Sequence, residues 1–148
     1  MAKENATILF IDDSPEDVET ILRSFRKAGL GVSIFHCSDG DEALDYLYRR
    51  GGYVEKGKAP RPDLILLDLN MPATDGYEVL EIIKSDNELK KIPVIVLTTS
   101  GDEQDVDRCY SSGANTYVRK PVDLSDFMEA IRCLNNFWFK IASLPRAN

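Results

Sequence analysis

Long hydrophobic runs are missing from this sequence of 148 residues. A helix that spans a bilayer needs roughly 20 consecutive apolar residues, and no segment approaches that length. The N-terminal residues also carry no apolar stretch behind a basic patch, so nothing resembles a secretion signal. The sequence therefore predicts no membrane segment and a cytoplasmic location.

Clustered positive charge is missing as well. The chain has 18 Lys and Arg residues against 25 Asp and Glu residues, which gives a formal net charge of −7, and the basic residues are scattered. Proteins that bind nucleic acids normally present a basic face or stripe. We therefore expect no nucleic-acid partner.

Cysteine and histidine are scarce. Cys37, Cys109 and Cys133 are odd in number, widely spaced and without a CxxC pair, which fits reduced core or surface thiols better than a disulfide framework or a zinc site. His36 is the only histidine and has no second metal-binding residue of its kind nearby, so we expect it to be half-buried and structural.

The sequence does contain a repeated alternation of short apolar runs and helical patterns. Strands that alternate with helices in this way form a parallel sheet with helices on both faces. A content of 43% hydrophobic residues is enough for one domain of the α/β class, but not for two. The strand-like runs are 7–12, 32–37, 63–68, 94–98 and 116–120, and the helical patterns follow Ser14, Asp39, Asp75, Asp102 and Asp123.

Polar residues stand where the most apolar of these runs end. The run 64–67 is entirely apolar, as in a central strand covered on both faces, and it ends on Asp68. Another run ends on Asp12 and Asp13, and a third on Thr98. Ligands of open α/β sheets bind at the carboxyl ends of the strands, so we expect these residues to meet.

Crowded carboxylates repel one another unless a cation neutralises them. Oxygen ligands favour Mg²⁺ or Mn²⁺ over zinc. With such an ion present, a carboxylate can act as nucleophile toward a phosphoryl group, Lys120 can offset the charge on the transferring oxygens, and the Thr98 hydroxyl can bond the product. Each motif alone has a simpler interpretation, because an Asp-Asp pair can be only a helix cap and a Lys-Pro pair only a turn.

Taken together, these residues resemble the signature of the two-component response-regulator receiver domain. Thirty residues separate Asp68 from Thr98 and twenty-two separate Thr98 from Lys120, as in that family. The resemblance implies one receiver domain over 5–142, with tails 1–4 and 143–148 and no output domain. The matching residues are Asp12, Asp13, Asp68, Asn70-Met71-Pro72, Asp75-Gly76, Thr98, Tyr117 and Lys120-Pro121.

The resemblance implies a flavodoxin-like sheet with strand order 2-1-3-4-5. It also implies that Asp68 accepts a phosphoryl group from the phosphohistidine of a sensor kinase or from a small phosphodonor. Asp13, Asp68 and the backbone carbonyl of Asn70 would ligate Mg²⁺, and Asp12 would act mainly through a metal-bound water.

The remaining motif residues also take roles from this resemblance. Lys120 would pair with the phosphoryl oxygens, and a cis peptide before Pro121 would aim it. Thr98 would move to bond the phosphate and Tyr117 would follow it inward, which changes the surface around the last strand. Thr99 departs from the alanine or glycine of many receivers, so the phosphate pocket could be tighter.

Two further segments are similar to stand-alone receivers that pair with cyanobacterial phytochrome histidine kinases. They are the twelve-residue connection 51–62, which we expect to be a mobile surface loop rather than a lid, and the aromatic ending around Trp138. The expected partner is therefore a phytochrome-type kinase.

Two other functions remain open at this stage. One is a receiver-like adaptor that works without phosphorylation, although no signature residue is missing. The other is a magnesium-dependent phosphatase with an aspartyl-phosphate intermediate. Such enzymes usually need an acid two residues after the nucleophile, where this chain has Asn70. We therefore expect no enzymatic activity beyond phosphorylation and dephosphorylation of the chain itself.

The last helix, expected over 124–141, has more apolar residues than one face can bury. We expect a first set to face the sheet, and a second set to widen the apolar surface enough to form a homodimer. The alternative is that the extra aromatics only cover the bottom edge of the domain. The first set is Leu124, Phe127, Ile131, Leu134, Trp138 and Ile141, and the second is Met128, Ala130, Cys133, Phe137 and Phe139.

Overall fold

Five strands alternate with five α-helices in the part of the chain that the structure describes. A computed structural model describes residues 6–28, 31–69, 71 and 75–145. None of the helices among these residues has the length and apolar character needed to cross a membrane. The elements are β1 (Ala6–Ile11), α1 (Pro15–Ala28), β2 (Val32–Cys37), α2 (Gly40–Tyr48), β3 (Leu64–Leu67), α3 (Gly76–Ser85), β4 (Val94–Thr98), α4 (Glu103–Ser111), β5 (Thr116–Arg119) and α5 (Leu124–Asn136).

The strands form one parallel sheet in the order β2-β1-β3-β4-β5, which confirms the expected flavodoxin-like topology. Strand order reverses at β1, whose neighbours are β2 and β3. Ile11 pairs with Leu67 at the ends of β1 and β3. The residues that follow these two strands therefore begin side by side at one edge of the sheet.

Alternate residues of the inner strands supply two hydrophobic cores, one on each face of the sheet. Leu9 and Ile65 belong to the core under α2 and α3, whereas Phe10 and Leu66 belong to the core under α1 and α5. This division follows from the two-residue period of a strand, which sends neighbouring side chains to opposite faces. Because both faces are covered, β1, β3 and β4 are buried along their whole length.

The helices begin where the capping residues predicted them. Ser14 Oγ accepts a hydrogen bond from the backbone N–H of Asp17 at 3.3 Å, and Asp75 accepts one from Glu78 at 2.9 Å. Asp39, Asp102 and Asp123 cap the other three helices in the same way. These caps satisfy N–H groups that a helix cannot satisfy internally, and they fix short turns after each strand.

The end of α5 differs from the prediction. The α-helix stops at Asn136 and a π-helical turn follows, Phe137–Ile141, in which Ala142 N–H donates to the Phe137 carbonyl at 2.7 Å. This wider turn shifts the helical phase, so Phe139 is buried while Ile141 is 73% exposed. Leu124 is also wrong as a sheet-facing residue, because it is 53% exposed and lines a groove between α1 and α5.

The connection 51–62 is mostly exposed, as expected of a surface loop, but part of it is held in place. Tyr46 Oη donates to the Pro60 carbonyl at 2.7 Å, and Arg49 Nε donates to the Ala59 carbonyl at 3.1 Å. Arg61 donates back to the Leu47 carbonyl at 2.8 Å, and Ala59 is buried. Hydrogen bonds from side chains on and beyond α2 therefore hold part of this segment against the helix.

Gly76 allows the start of α3 to lie directly against the end of β3. A Cβ atom at this position would lie 2.3 Å from the Asp68 carbonyl oxygen and 2.6 Å from Leu69 Cα. Both neighbours are backbone atoms, so neither can move aside without shifting the chain. The glycine after Asp75 is therefore required by close packing against the backbone of Asp68.

We predict that Gly76→Ala destabilises the protein by about 1–3 kcal/mol, the usual cost of overpacking a tight site. Gly52→Ala is the matched control, because a Cβ there meets nothing within 4 Å. That control should change stability by less than about 0.5 kcal/mol. Urea unfolding measures both, and equal effects would contradict the packing argument.

Candidate functional site

Three carboxylates meet at the edge of the sheet where β1 and β3 end. Asp12 and Asp13 follow β1, and Asp68 follows β3. Their oxygen atoms can all lie within 4.8 Å of one another, with Asp12 and Asp68 buried and Asp13 exposed. The adjacency of β1 and β3 explains this cluster, since residues 56 positions apart become neighbours across one strand pair.

Asp12 is the most deeply buried of the three acids. Burial raises the pKa of Asp12 to about 6, although its hydrogen bond with Lys120 acts in the opposite direction. The backbone N–H of Ser14 also donates to Asp12 Oδ1, at 2.8 Å. At neutral pH the site therefore holds a buried negative charge that depends on nearby donors and cations.

Lys120 supplies a cation to this cluster. Its Nζ lies 2.7 Å from Asp12 Oδ2, 2.6 Å from Asp17 Oδ2 and 3.5 Å from Asp68 Oδ2. Burial by itself would lower the pKa of Lys120, but the hydrogen bonds to Asp12 and Asp17 outweigh it and the pKa is raised. The ammonium therefore stays charged beside the acids.

Asp17, an acid in the first turn of α1, is part of the site although the sequence motifs do not single it out. Its side chain is 27% exposed and accepts from Lys120. The available signal was its position, because α1 begins four residues after β1 and its first turn lies over the strand end. The partner, 103 residues away, could not be identified from local pattern.

The peptide bond before Pro121 is trans, since none of the described peptide bonds is cis, and the predicted cis peptide is therefore wrong. A trans bond before proline is favoured by about 0.5–1 kcal/mol unless the fold demands otherwise. Lys120 N–H donates to the Thr98 carbonyl at 2.6 Å. That hydrogen bond extends the β4–β5 pairing and carries Lys120 to the acids.

Thr98 ends β4 with a fully buried side chain. Its Oγ1 atom has no hydrogen-bond partner within the described part of the chain. Leaving a buried hydroxyl unpaired costs about 1–3 kcal/mol. Thr98 therefore has an unused donor and acceptor at the carboxyl edge of the sheet.

Tyr117 lies on β5, half-buried, and contacts the segment that follows Thr98. Its hydroxyl donates to the Ser100 carbonyl at 2.8 Å, while Ser100 Oγ donates to Asp105 at 2.6 Å. Asp105 also accepts from the Tyr77 hydroxyl. Tyr117 is thus connected through Ser100 to α3 and α4, rather than turned into the acidic cluster.

The donor set fits a hard divalent cation. The clustered ligand atoms of Asp12, Asp13 and Asp68 are all carboxylate oxygens, which Mg²⁺ and Mn²⁺ prefer. The fourth predicted ligand, the carbonyl of Asn70, lies outside the described residues. No histidine or cysteine joins this group of described acids.

The remaining scarce residues have structural positions. His36 Nε2 donates to the Asp12 carbonyl at 2.7 Å, and its side chain is exposed rather than half-buried as expected. The three cysteines are free, as the sequence analysis expected.

Comparison with known proteins gives a family match over most of the chain. The family described as "Response regulator receiver domain" matches residues 8–132. Response regulator Rcp1 of Synechocystis sp. is 38% identical over 140 residues, which cover 95% of this chain and 93% of that protein.

Solved structures agree in fold as well as in sequence. The Mn²⁺-bound form of response regulator Rcp1 has a TM-score of 0.89 and 37% identity, and the match covers 95% of this chain and 99% of that one. The phosphorylated cyanobacterial phytochrome response regulator RcpA has a TM-score of 0.90 and 38% identity, with 96% and 99% covered. The strand order, the family match and these likenesses agree, and the chain belongs to the family of response regulator receiver domains.

Proposed function

We propose that this chain is a stand-alone response regulator that accepts a phosphoryl group on Asp68 from a sensor histidine kinase. The observation that supports this proposal most directly is the position of Asp68 at the end of the central strand. Two further acids and the Lys120 ammonium surround it, and an unpartnered Thr98 hydroxyl ends the next strand. The chain acts as a receiver domain over 5–142, in the cytoplasm.

The residues of the site divide the work of phosphoryl transfer. Asp68 provides the nucleophilic oxygen, and Lys120 offsets charge that spreads over the three transferring oxygens. The Thr98 hydroxyl donates to a phosphoryl oxygen and thereby gains the partner it lacks. These groups act on the chain itself, so the protein is not an enzyme for a separate substrate.

Asp13, Asp68 and the Asn70 carbonyl would hold Mg²⁺, or Mn²⁺ in its place, and Asp12 would act on the ion through water. When bound, the ion supplies positive charge against the carboxylates and the incoming phosphoryl oxygens. The cluster of carboxylate oxygens supports this assignment. The similarity to Rcp1, which has been seen with Mn²⁺ bound, supports it further.

Phosphorylation changes the partner-binding surface through Thr98 and Tyr117. When Thr98 turns to the phosphoryl group, the backbone that follows it shifts, and the Tyr117 hydroxyl then loses its hydrogen bond to Ser100. Ser100 is also bonded to Asp105 on α4. A local charge change is thus passed to the faces of α4 and β5.

The kinase partner is of the phytochrome type. This assignment rests on the likeness to RcpA, a cyanobacterial phytochrome response regulator, over nearly the whole of both chains. The similar lengths also support action as a stand-alone receiver, since Rcp1 matches over 93% of its own length.

The protein forms a homodimer through its last helix. Phe137 is 48% exposed and Ile141 is 73% exposed, and Trp138 stacks edge-on against Phe137 with ring centroids 5.2 Å apart. Phe139 already covers the bottom of the core, so the exposed residues are not needed there. A second copy of the chain buries these exposed apolar residues in a two-fold, self-complementary contact.

Incubation with Mg²⁺ and a small phosphodonor should add one phosphoryl group to the wild-type chain. Asp68→Asn should take up none, and Lys120→Ala should react at least about tenfold more slowly, because removal of one preorganised charge typically costs that much or more. Intact mass measures the product, and hydroxylamine should release an acyl phosphate. Modification that persists in Asp68→Asn, or that maps to His36 or a serine, would overturn the assignment; absence of any modification would favour the adaptor function.

Mg²⁺ should raise the melting temperature of the wild-type protein, since a ligand that binds only the folded state stabilises it. Asp13→Asn should reduce this rise by removing a ligand. Asp107→Asn removes the same charge from an exposed part of α4 and should leave the rise unchanged. Differential scanning calorimetry with and without Mg²⁺ tests this prediction. If Asp13→Asn shows the same rise in melting temperature as the wild type, the metal assignment is wrong.

Sedimentation velocity should find a dimer in the micromolar range for the wild type and a monomer for Phe137→Asp. A charge placed in an apolar interface loses its water without gaining a partner. Val54→Asp introduces the same charge at an apolar residue that is 69% exposed and lies outside α5, and it should remain dimeric. A wild type that stays monomeric with and without phosphate would defeat the homodimer.

A further inference from the structure

The Lys120 ammonium has more than one strong acceptor before any phosphoryl group arrives. Asp17 Oδ2 lies 2.6 Å from Nζ and Asp12 Oδ2 lies 2.7 Å from it, whereas Asp68 Oδ2 lies 3.5 Å away. Charged hydrogen bonds of this kind typically measure 2.7–2.9 Å. Two of the three ammonium protons are therefore committed to Asp12 and Asp17, and Asp68 receives the weakest contact.

Asp12 and Asp17 hold the ammonium from different elements. Asp12 directly follows β1 and is fully buried, so its carboxylate belongs to the acidic cluster. Asp17 lies in the first turn of α1, and its side chain keeps 27% of its exposure. Because Asp17 is not a member of the cluster that could hold a metal, its contact with Lys120 is free to change while the cluster stays intact.

We propose that Asp17 is a positioning residue that retains Lys120 before phosphoryl transfer and competes with the phosphoryl group for its ammonium. The inference rests on the proposed function of Asp68. In the transfer, an Asp68 oxygen forms a bond to phosphorus while the bond from phosphorus to the donor breaks, and the donor leaves with the electron pair, as acetate when it is acetyl phosphate. Lys120 must turn from Asp17 toward the new phosphoryl oxygens.

This competition sets the direction of the effect. While Asp17 accepts a hydrogen bond from Lys120, part of the lysine charge is neutralised and cannot stabilise the transition state. Removal of the Asp17 charge releases the ammonium toward Asp68. Phosphorylation should then become faster, although a contact between two charged groups has been lost.

A simpler interpretation is that Asp17 only stabilises the N-terminus of α1. Acids in the first turn of a helix interact favourably with the helix dipole. Glu16 occupies the same turn and is exposed, and it is not among the acids that reach Lys120. Glu16→Gln therefore removes the same charge from the same turn and serves as the matched control.

The first experiment measures the phosphorylation rate with acetyl phosphate and Mg²⁺ by intact mass. Asp17→Asn should react about fivefold faster than wild type, the effect expected for a partly solvated ion pair. Asp17→Glu keeps the acceptor and should return the rate toward wild type. Glu16→Gln should stay within about twofold of wild type. A slower Asp17→Asn, or equal acceleration by Glu16→Gln, would overturn the proposal.

A double-mutant cycle identifies the route of the effect. If Asp17 acts through Lys120, Asp17→Asn should give no acceleration when Lys120→Ala is already present. Equal acceleration in both backgrounds would mean that Asp17 acts only through its charge on the site, which contradicts the proposal.

A second measurement does not depend on phosphorylation. In a proton–nitrogen correlation spectrum of lysine side chains, the Lys120 ammonium signal should shift in Asp17→Asn and stay in place in Glu16→Gln. An unchanged Lys120 signal in Asp17→Asn would defeat the proposal directly. If the signal shifts but no variant is phosphorylated, the contact stands and the proposed function of Asp68 fails.

Discussion

The buried ion pair between Lys120 and Asp12 is the contact on which the site depends. Lys120 Nζ lies 2.7 Å from Asp12 Oδ2, with side chains 6% and 0% exposed. Burying a charge without a partner costs several kcal/mol, so neither residue is tolerable there alone. The pair forms only if β1 and β5 end at the same edge of the sheet. The formation of the site therefore depends on the arrangement of the strands in the sheet.

Local pattern was enough to predict most of the fold and the acidic cluster. Capping residues such as Ser14 and Asp75 predicted helix starts, because their side chains bond N–H groups only a few residues away. Strand ends predicted the cluster, because parallel strands place their carboxyl ends together. The order of the strands itself came from the resemblance to a family, since alternation of strands and helices leaves several orders open.

The features that the sequence did not predict depend on distant or weakly patterned contacts. Asp17 reaches a lysine 103 residues away, which no local periodicity encodes. The peptide before Pro121 is trans, the ordinary form of such a bond, whereas the cis form was expected only from the family resemblance. The π-helical turn after Asn136 reflects packing of Phe139 into the core, which overrides the regular spacing of the helix.

The backbone link between Thr98 and Lys120 has a mechanical consequence under the proposed function. Lys120 N–H donates to the Thr98 carbonyl at 2.6 Å, so the two residues that meet the phosphoryl group are joined at the ends of β4 and β5. Tyr117 lies on β5 and bonds the Ser100 carbonyl, two residues beyond Thr98. A shift of Thr98 toward Asp68 therefore acts on both strand ends together. This coupling explains how one charge change could alter a surface rather than a single side chain, because strands that share hydrogen bonds cannot move independently.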